Sequence, residues 1–423
     1  MKPIAATERI MLLDILRGLA IFGMFSVNMT ADLPWGHTFH EQTLAAPDRV
    51  ALILVDLLAN GRFITIFSLL FGLGFYVQLE RAQARGEEFA VTYLRRVLGL
   101  FMIAAVAIVA GLHTAILIDY AMFGALLLLF YKRSQRFLLF SAIICFLAAQ
   151  APGFVEYYRS LDEQVTVVTQ MEQSDQLSAT SEKPVQPDVA TDKDLERAER
   201  RAERTRIYRE GSFVQIAKLR ASRLLKYVKS FEQRLGNMSP LGLFLLGVYV
   251  ARRGVLSDPE ARRELARKVL PWLLSIGSAG VLTFVVIEHF LSAAWDAEPL
   301  SLVKWAIGWP IGMVTLGLGY AAGITLLLER DKWRRLFSPL ASVGRLALTN
   351  YLFTNLVFAV TAYSWGMGHY GQLQPFAGLV IVIVAFPLQV FASQWWLSRF
   401  RFGPAEWCWR SMTYGKLPPM RMK

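Results

Sequence analysis

LLDILRGLAIFGMFSV, residues 12–27, decides how this chain is read. It lies in an apolar stretch, residues 11–30, long enough to cross a bilayer, yet it holds Asp14 and Arg17. A charge inside a membrane-length segment is costly, so by default it marks a functional position. Three residues separate the two charges, which makes them neighbours on one helix face. Asn28 follows Arg17 by eleven residues. At ~100° per residue that offset leaves them about 20° apart around the helix and about 16 Å apart along it. One side of the first helix thus carries an ion pair low down and an amide at the top. The simpler alternative is that Arg17 snorkels to the headgroups with Asp14 as its partner.

The rest of the composition agrees with a membrane protein. The chain has 423 residues, 54% of them hydrophobic and 18% charged. A soluble protein carries more charge and shorter apolar runs. Apolar segments of spanning length recur along it. The expected fold is all-α, a polytopic helical membrane protein with about ten transmembrane helices. They are read at 10–30, 50–79, 97–113, 115–131, 137–152, 238–252, 270–292, 302–328, 340–363 and 376–397. The second is interrupted by Asn60, Gly61 and Arg62. No cleavable signal peptide is evident, because residues 11–30 lack a clear small-residue cleavage site. Cys145 and Cys408 suggest neither a disulfide framework nor a zinc site.

Charge orients the spans. The ends and loops at 1–9, 80–96, 132–136, 252–268, 329–345 and 398–423 hold 26 Lys or Arg between them. The alternate short loops hold one, Arg49. Basic loops stay inside, so both termini are expected in the cytoplasm. The formal charge of +12 is explained by this asymmetry rather than by nucleic-acid binding.

Three regions follow. Residues 1–152 form a five-helix N-terminal membrane half, and 238–423 form a five-helix C-terminal half with a basic tail. Between them, 153–237 carries 15 Lys or Arg and 14 Asp or Glu and is expected outside, since long segments translocate largely regardless of charge. Within it, 164–192 is polar and reads as flexible. Residues 194–209 alternate charge at helical spacing and read as an exposed helix. Residues 213–231 place Phe213, Ile216, Leu219, Leu224, Tyr227 and Val228 among Lys and Arg. That pattern suits a helix on the membrane surface, with a solvated helical hairpin as the alternative.

Other motifs are quieter. Gly308, Gly312, Gly317, Gly319 and Gly323 make small-xxx-small patterns that let helices approach closely. FGLGF follows no strand and makes no dinucleotide fingerprint. All five histidines map to the outer half: His37, His40, His113, His289 and His369. Histidine is the usual general base near neutral pH, although interfacial histidines also serve as polar anchors. His37 and His40 follow directly above the Arg17–Asn28 face, and His113 sits at the mouth of a helix pair. His289 and His369 read as anchors. No metal site is expected, because His37 and His40 with Asp32 and Glu41 lack an assured third fixed ligand.

Several stretches carry a resemblance. LLDILRGLAIFGMFSVN resembles the opening of the YeiB-like membrane proteins, and FITIFSLLFGLG (63–74) resembles their second motif. GRLALTNYLFTN (344–355) and FRFGPAEWCWRSMTYGK (400–416) resemble their C-terminal signatures. YREGSF (208–213) is similar to the stretch before their sixth span. Those proteins in turn resemble a superfamily of ten-helix transmembrane acyltransferases. It includes the acyltransferase-3 proteins and the lysosomal heparan-alpha-glucosaminide N-acetyltransferase. Acyltransferase-3 proteins pair an arginine with a histidine eleven residues later. Here Arg17 matches the arginine and Asn28 takes the histidine position. The lysosomal enzyme is similar in having Asn there, with its active-site histidine in the following loop. His40 is nearest that spacing, and His37 is the alternative. His113 matches the histidine ending the family's third span. Asp119–Tyr120 comes sooner after it than in the family pattern.

The resemblance implies acyl transfer from a cytoplasmic acyl-CoA, such as acetyl-CoA, to an extracytoplasmic or lipid acceptor. Arg17, Asp14 and Arg62 are the expected donor-binding residues. His40 or His37, with Asn28 and His113, are the expected catalytic residues. Asn350, Tyr351 and Arg345 are the expected substrate-binding residues. Asn350 and Tyr351 read equally well as a satisfied interhelical hydrogen bond. The expected partners are membrane lipids, the donor, an acceptor and, in a homodimer, a second copy. The expected location is a bacterial inner membrane. The competing reading is a transporter or permease for a small solute, against which stands the absence of an obvious inverted repeat.

Overall fold

The computed structural model describes residues 11–32, 44–151, 192–230, 238–291, 303, 308 and 311–422. Among these, α-helix dominates and the only β pairing is an isolated bridge between Phe400 and Arg421. The chain is an all-α polytopic helical protein. The first half comprises α1 (Met11–Val27), α2 (Ala46–Leu58), α3 (Arg62–Ala84), α4 (Phe89–Val109), α5 (Ala115–Leu126) and α6 (Gln135–Ala151). Then come α7 (Asp192–Glu210) and α8 (Phe213–Lys229). The second half comprises α9 (Ser239–Arg252), α10 (Pro259–Val286), α11 (Val314–Leu327), α12 (Asp331–Phe337), α13 (Leu340–Arg345), α14 (Ala347–Ala362), α15 (Pro375–Leu397) and α16 (Pro404–Tyr414).

Most segments expected to span coincide with apolar helices among the described residues; 340–363 is divided between α13 and α14, and part of 302–328 lies outside the described residues. Among the described residues, five helical stretches are long and apolar enough to cross a membrane: 11–30, 46–84, 89–109, 259–291 and 375–397. A sixth, 311–327, passes together with α12, which turns away from it by 119°. α12 reads DKWRRLF, too polar to continue the apolar path. The remaining apolar helices, 115–129, 135–151, 239–252 and 347–362, are shorter.

The core joins both halves. α1 packs on α3 and on the C-terminal α13, α14 and α15, while α3 packs on α9 and α11. Small residues set these distances. A Cβ on Gly344 would lie 1.8 Å from the Asp14 carbonyl oxygen, and one on Gly18 would lie 2.2 Å from that of Leu340. The α1–α13 crossing is therefore backbone to backbone. The later glycines divide. Gly312 lies against the Gly280 backbone and Gly317 against the Arg62 carbonyl, whereas Gly323 makes only ordinary contact with Leu270.

The break in the second segment also has a physical cause. Gly61 has φ +76°, a left-handed conformation that glycine adopts readily. It separates α2 from α3, and Arg62 opens the new helix.

α8 is docked as well as amphipathic. Ser212 caps it, its hydroxyl accepting from the Gln215 N–H at 3.3 Å while the Gln215 side chain accepts the Ser212 N–H at 2.7 Å. Ile216 and Arg220 are buried against the bundle, and Phe213, Val214 and Leu225 stay exposed. Arg220 donates from Nε to the Ile108 carbonyl at 3.0 Å and from Nη2 to Leu112 at 2.9 Å. It also donates to the Tyr363 hydroxyl. A cation thus adds a second donor to two carbonyls where α4 ends, each of which also accepts a backbone N–H. The YREGSF stretch is fixed the same way: the Ser364 N–H donates to the Tyr208 carbonyl at 3.0 Å, and Arg209 donates to the Tyr370 carbonyl at 2.7 Å.

Candidate functional site

The site begins with the pair on α1. Arg17 Nη1 donates to Asp14 Oδ1 at 2.9 Å, and Asp14 is buried. Asp14 is held in place because the backbone of Gly344 presses on its turn. Arg17 extends towards Gly74, where an added Cβ would lie 4.0 Å from Nη2. Both residues face a cavity of about 300 Å³. That volume is at the lower end for small-molecule sites.

Basic residues from four other elements converge on the same cavity. Arg81 comes from the end of α3 and Arg85 follows it; Arg96 comes from α4, Arg345 from α13 and Arg410 from α16. Six arginines line it, against two carboxylates, Asp14 and Glu406. Arg96 lies within electrostatic reach of Arg17 and Arg410. Like charges gathered in a poorly solvated space repel, which favours a bound anion.

Helix α16 closes this basic end. Trp409 donates its indole N–H to the Arg96 carbonyl at 2.6 Å, and the Arg96 guanidinium lies 3.9 Å from the Trp409 ring centroid. Glu406 Oε1 accepts the backbone N–H of Leu348 at 2.6 Å and of Thr349 at 3.0 Å. Those are among the donors a new helix leaves unpaired at its start. Burial pushes the Glu406 carboxyl above its ordinary range, against the pull of its hydrogen bonds to Thr349 and Leu348. Burial likewise lowers Arg410.

The far end of the cavity is aromatic and aliphatic. Phe67, Leu70, Phe71, Leu117, Tyr120 and Tyr351 contribute. The hydroxyls of Tyr120 and Ser68 are 2.6 Å apart. The Tyr351 hydroxyl donates to the His113 carbonyl at 3.3 Å, linking the wall to the α4–α5 loop. The Tyr93 hydroxyl, buried on the wall, has no hydrogen-bond partner among the described residues. A cavity basic at one end and apolar at the other suits an amphiphilic anion.

The residues singled out from sequence separate into groups. Asp14, Arg17, Arg345 and Tyr351 line the cavity. Asn28 opens a π-helical turn, Asn28–Asp32, and is half-buried away from the lining. His113 contributes its carbonyl to Tyr351, and its imidazole is within electrostatic reach of Arg220 and Arg223. Asn350 lies in a buried network instead. It donates to the Val343 carbonyl at 3.1 Å and to Ser393 Oγ at 3.0 Å, while Gln389 donates to the Asn350 carbonyl at 2.9 Å. Arg62 is fully buried outside the cavity lining. His37 and His40 lie outside the described residues. Among the described residues no group of three or more His, Cys, Asp or Glu could hold a metal ion.

Arg81, Arg85, Arg96, Arg410 and Glu406 also line the cavity, and the sequence does not single them out. The available signal was the basic loops, which orient a membrane protein whether or not they also bind something.

The class that the fold and site define is a helical membrane bundle with an arginine-lined cavity. Residues 250–416 match the model of the protein family of unknown function DUF418. The uncharacterized protein YxaH of Bacillus subtilis is 28% identical over the whole of this chain and 98% of its own. An uncharacterized 39.9 kDa protein from the amylase 3′ region of Bacillus acidopullulyticus is 27% identical over the whole chain and 99% of its own. The uncharacterized protein YeiB of Escherichia coli is 31% identical over 41% of this chain and 43% of its own. The chain is thus similar to the DUF418 family over residues 250–416, and to YxaH along its whole length. No solved structure matches it.

Proposed function

We propose that the protein is a membrane acyltransferase that takes its acyl group from an acyl-CoA at the cytoplasmic face of a bacterial inner membrane. The observation that carries this reading is the cavity, with six arginines at its basic end and aromatic and aliphatic side chains beyond them. Guanidinium groups bind phosphate oxygens bidentately, and the apolar part suits a thioester arm. Arg17, fixed by Asp14, stands within that path. The resemblance to the transmembrane acyltransferases supports the same reading through the Arg17–Asn28 spacing.

The reaction balances without an added reagent. A base, His40 or His37 in this reading, takes the proton of the acceptor hydroxyl or amine. The acceptor oxygen or nitrogen bonds to the acyl carbon, the carbon–sulfur bond breaks, and the thiolate leaves to be protonated. Asn28 would donate its amide N–H to the developing oxyanion.

The test is binding and turnover of radiolabelled acetyl-CoA by purified protein in lipid nanodiscs. Wild type should bind saturably, Arg17→Gln and Arg410→Gln should bind more weakly, and His40→Ala with His37→Ala should bind without transfer. Wild type that neither binds nor turns over a panel of acyl-CoA donors would remove the reading. So would accumulation of an unmodified solute in proteoliposomes, which supports a transporter.

A further inference from the structure

A second buried polar cluster lies at the junction of α2 and α3, sharing no residue with the arginine cavity. Arg62 is its centre, with 0% of its surface exposed. Nη1 donates to the carbonyl oxygens of Asp56 and Asn60, at the end of α2. That half of the guanidinium is accounted for, since a cation at a helix C-terminus satisfies carbonyls the helix leaves over. The other half is not. Nε and Nη2 are buried and have no hydrogen-bond partner among the described residues.

The obvious carboxylate is already engaged. Asp56 Oδ1 accepts from Asn60 Nδ2 at 2.7 Å, and Asp56 Oδ2 is 2.9 Å from His289 Nε2. His289 is held in a π-helical turn, Ile287–Leu291, at the end of α10. Gly317 of α11 packs against the Arg62 carbonyl and Met313, just before α11, against Gly61, so the guanidinium is supported on a fixed backbone. The Nε–Nη2 edge presents parallel N–H groups at the spacing of two oxygens of one carboxylate or phosphate. A buried guanidinium edge without a partner is strongly disfavoured.

We propose that Arg62 binds an oxyanion, a carboxylate or phosphate group, through Nε and Nη2, with Asp56, Asn60 and His289 holding the site in shape. The site is independent of the acyl-transfer reading. It occupies the end of the bundle away from the arginine cavity: Phe63 packs beside Gly23 of α1, whereas Arg17 lies further along towards Gly74.

The experiment uses the full chain in detergent with acetate and inorganic phosphate as probes, and chloride at matched ionic strength as reference. Wild type should show a saturable rise in Tm with at least one oxyanion. Because the arginine cavity can itself take an anion, the rise should persist in Arg17→Gln and in Arg17→Gln/Arg410→Gln, and adding Arg62→Gln to the double variant should abolish it. No saturable rise in wild type overturns the proposal, as does an equal rise after Arg62→Gln is added to the double variant. Loss of the rise in Arg17→Gln or in the double variant overturns it too, by assigning the anion to the arginine cavity. Should the variant carrying Arg62→Gln fail to fold, a density map of wild type in the stabilising anion decides. Density of oxyanion size within hydrogen-bonding distance of Nε and Nη2 supports the site, and a water-sized peak or none overturns it. A fluorinated acetate followed by 19F NMR separates a free anion from a co-purified lipid headgroup, which would resist exchange.

Discussion

Thr349 and Glu406 cap each other's helices. The Thr349 hydroxyl donates to Glu406 Oε2 at 2.5 Å and accepts the Ala405 N–H at 3.1 Å. The Glu406 carboxylate accepts the first free N–H groups of α14. Two stretches more than fifty residues apart, GRLALTN and PAEW, are thereby one structural unit. Gly403 belongs to it, because a Cβ there would lie 2.2 Å from Glu406 Oε2 and 2.5 Å from Thr349 Oγ1.

The first prediction concerns pH. The folded protein raises the Glu406 pKa above the ordinary value of 4.5, with burial the largest cause. A raised folded pKa gives a contribution fully present below the unfolded value and lost as pH rises through the folded one. Thermal stability in detergent should therefore decline across that window. Glu406→Gln keeps acceptor and donor and should flatten the decline. Glu406→Ala should lose about 1–2 kcal/mol at every pH, as removal of a helix cap does. An unchanged pH profile in Glu406→Gln would count against the assignment.

The α1–α13 crossing gives the second. Gly344→Ala places a Cβ 1.8 Å from the Asp14 carbonyl oxygen, where only backbone can yield. The cost should be at least about 1–3 kcal/mol, with Tm falling accordingly. Gly86→Ala is the control for space, since nothing lies within 4 Å of its Cβ, although its φ of +64° carries a strain of its own. A Gly344→Ala melt equal to wild type would show that the helices can separate.

Arg220 should matter through α4. Arg220→Met removes donors from the Ile108 and Leu112 carbonyls and from the Tyr363 hydroxyl. Hydrogen bonds to a charged group contribute about 1.5–3 kcal/mol each, so stability should fall by at least that much. Arg220→Lys should recover only part of it. Hydrogen exchange at residues around 108–114 should rise in Arg220→Met, and protection there equal to wild type would argue against the capping role.

Arg17 should act on donor affinity with little effect on stability, since its side chain is 30% exposed and paired with a neighbour. Arg17→Gln should weaken acetyl-CoA binding about tenfold, the loss of roughly 1.4 kcal/mol. Affinity should also fall as salt rises, because screening weakens partly exposed charges. Binding insensitive to both changes would separate Arg17 from the donor path.

The helices were legible because apolar length is a strong signal. Most expected spans coincide with helices among the described residues, and the break at Asn60–Arg62 is where the second helical path divides. Half the candidate site was legible in the same way. Asp14 and Arg17 are out of place in their own segment, so they announce themselves. Arg81, Arg85, Arg96 and Arg410 do not, since a basic loop residue is ordinary in a membrane protein and only the fold brings these four together. Glu406 was hidden for a different reason: its partners are two backbone N–H groups and one hydroxyl, all more than fifty residues earlier, which no local side-chain pattern records. Asn350 was ambiguous because a polar residue on an apolar helix looks the same whether it meets a ligand or Ser393. Arg62 stood out as a charge, yet its direction depends on a left-handed glycine one residue earlier.

The capping between α14 and α16 sets an order on biosynthesis. Glu406 is translated after every apolar helix of the bundle, so the first turn of α14 waits for its carboxylate while α15 is being made. The arginine cavity has no floor until then. A chain interrupted before residue 404 would insert its helices and still present an open, strongly cationic mouth. A quality-control protease would meet such a chain at a free N-terminal turn of α14.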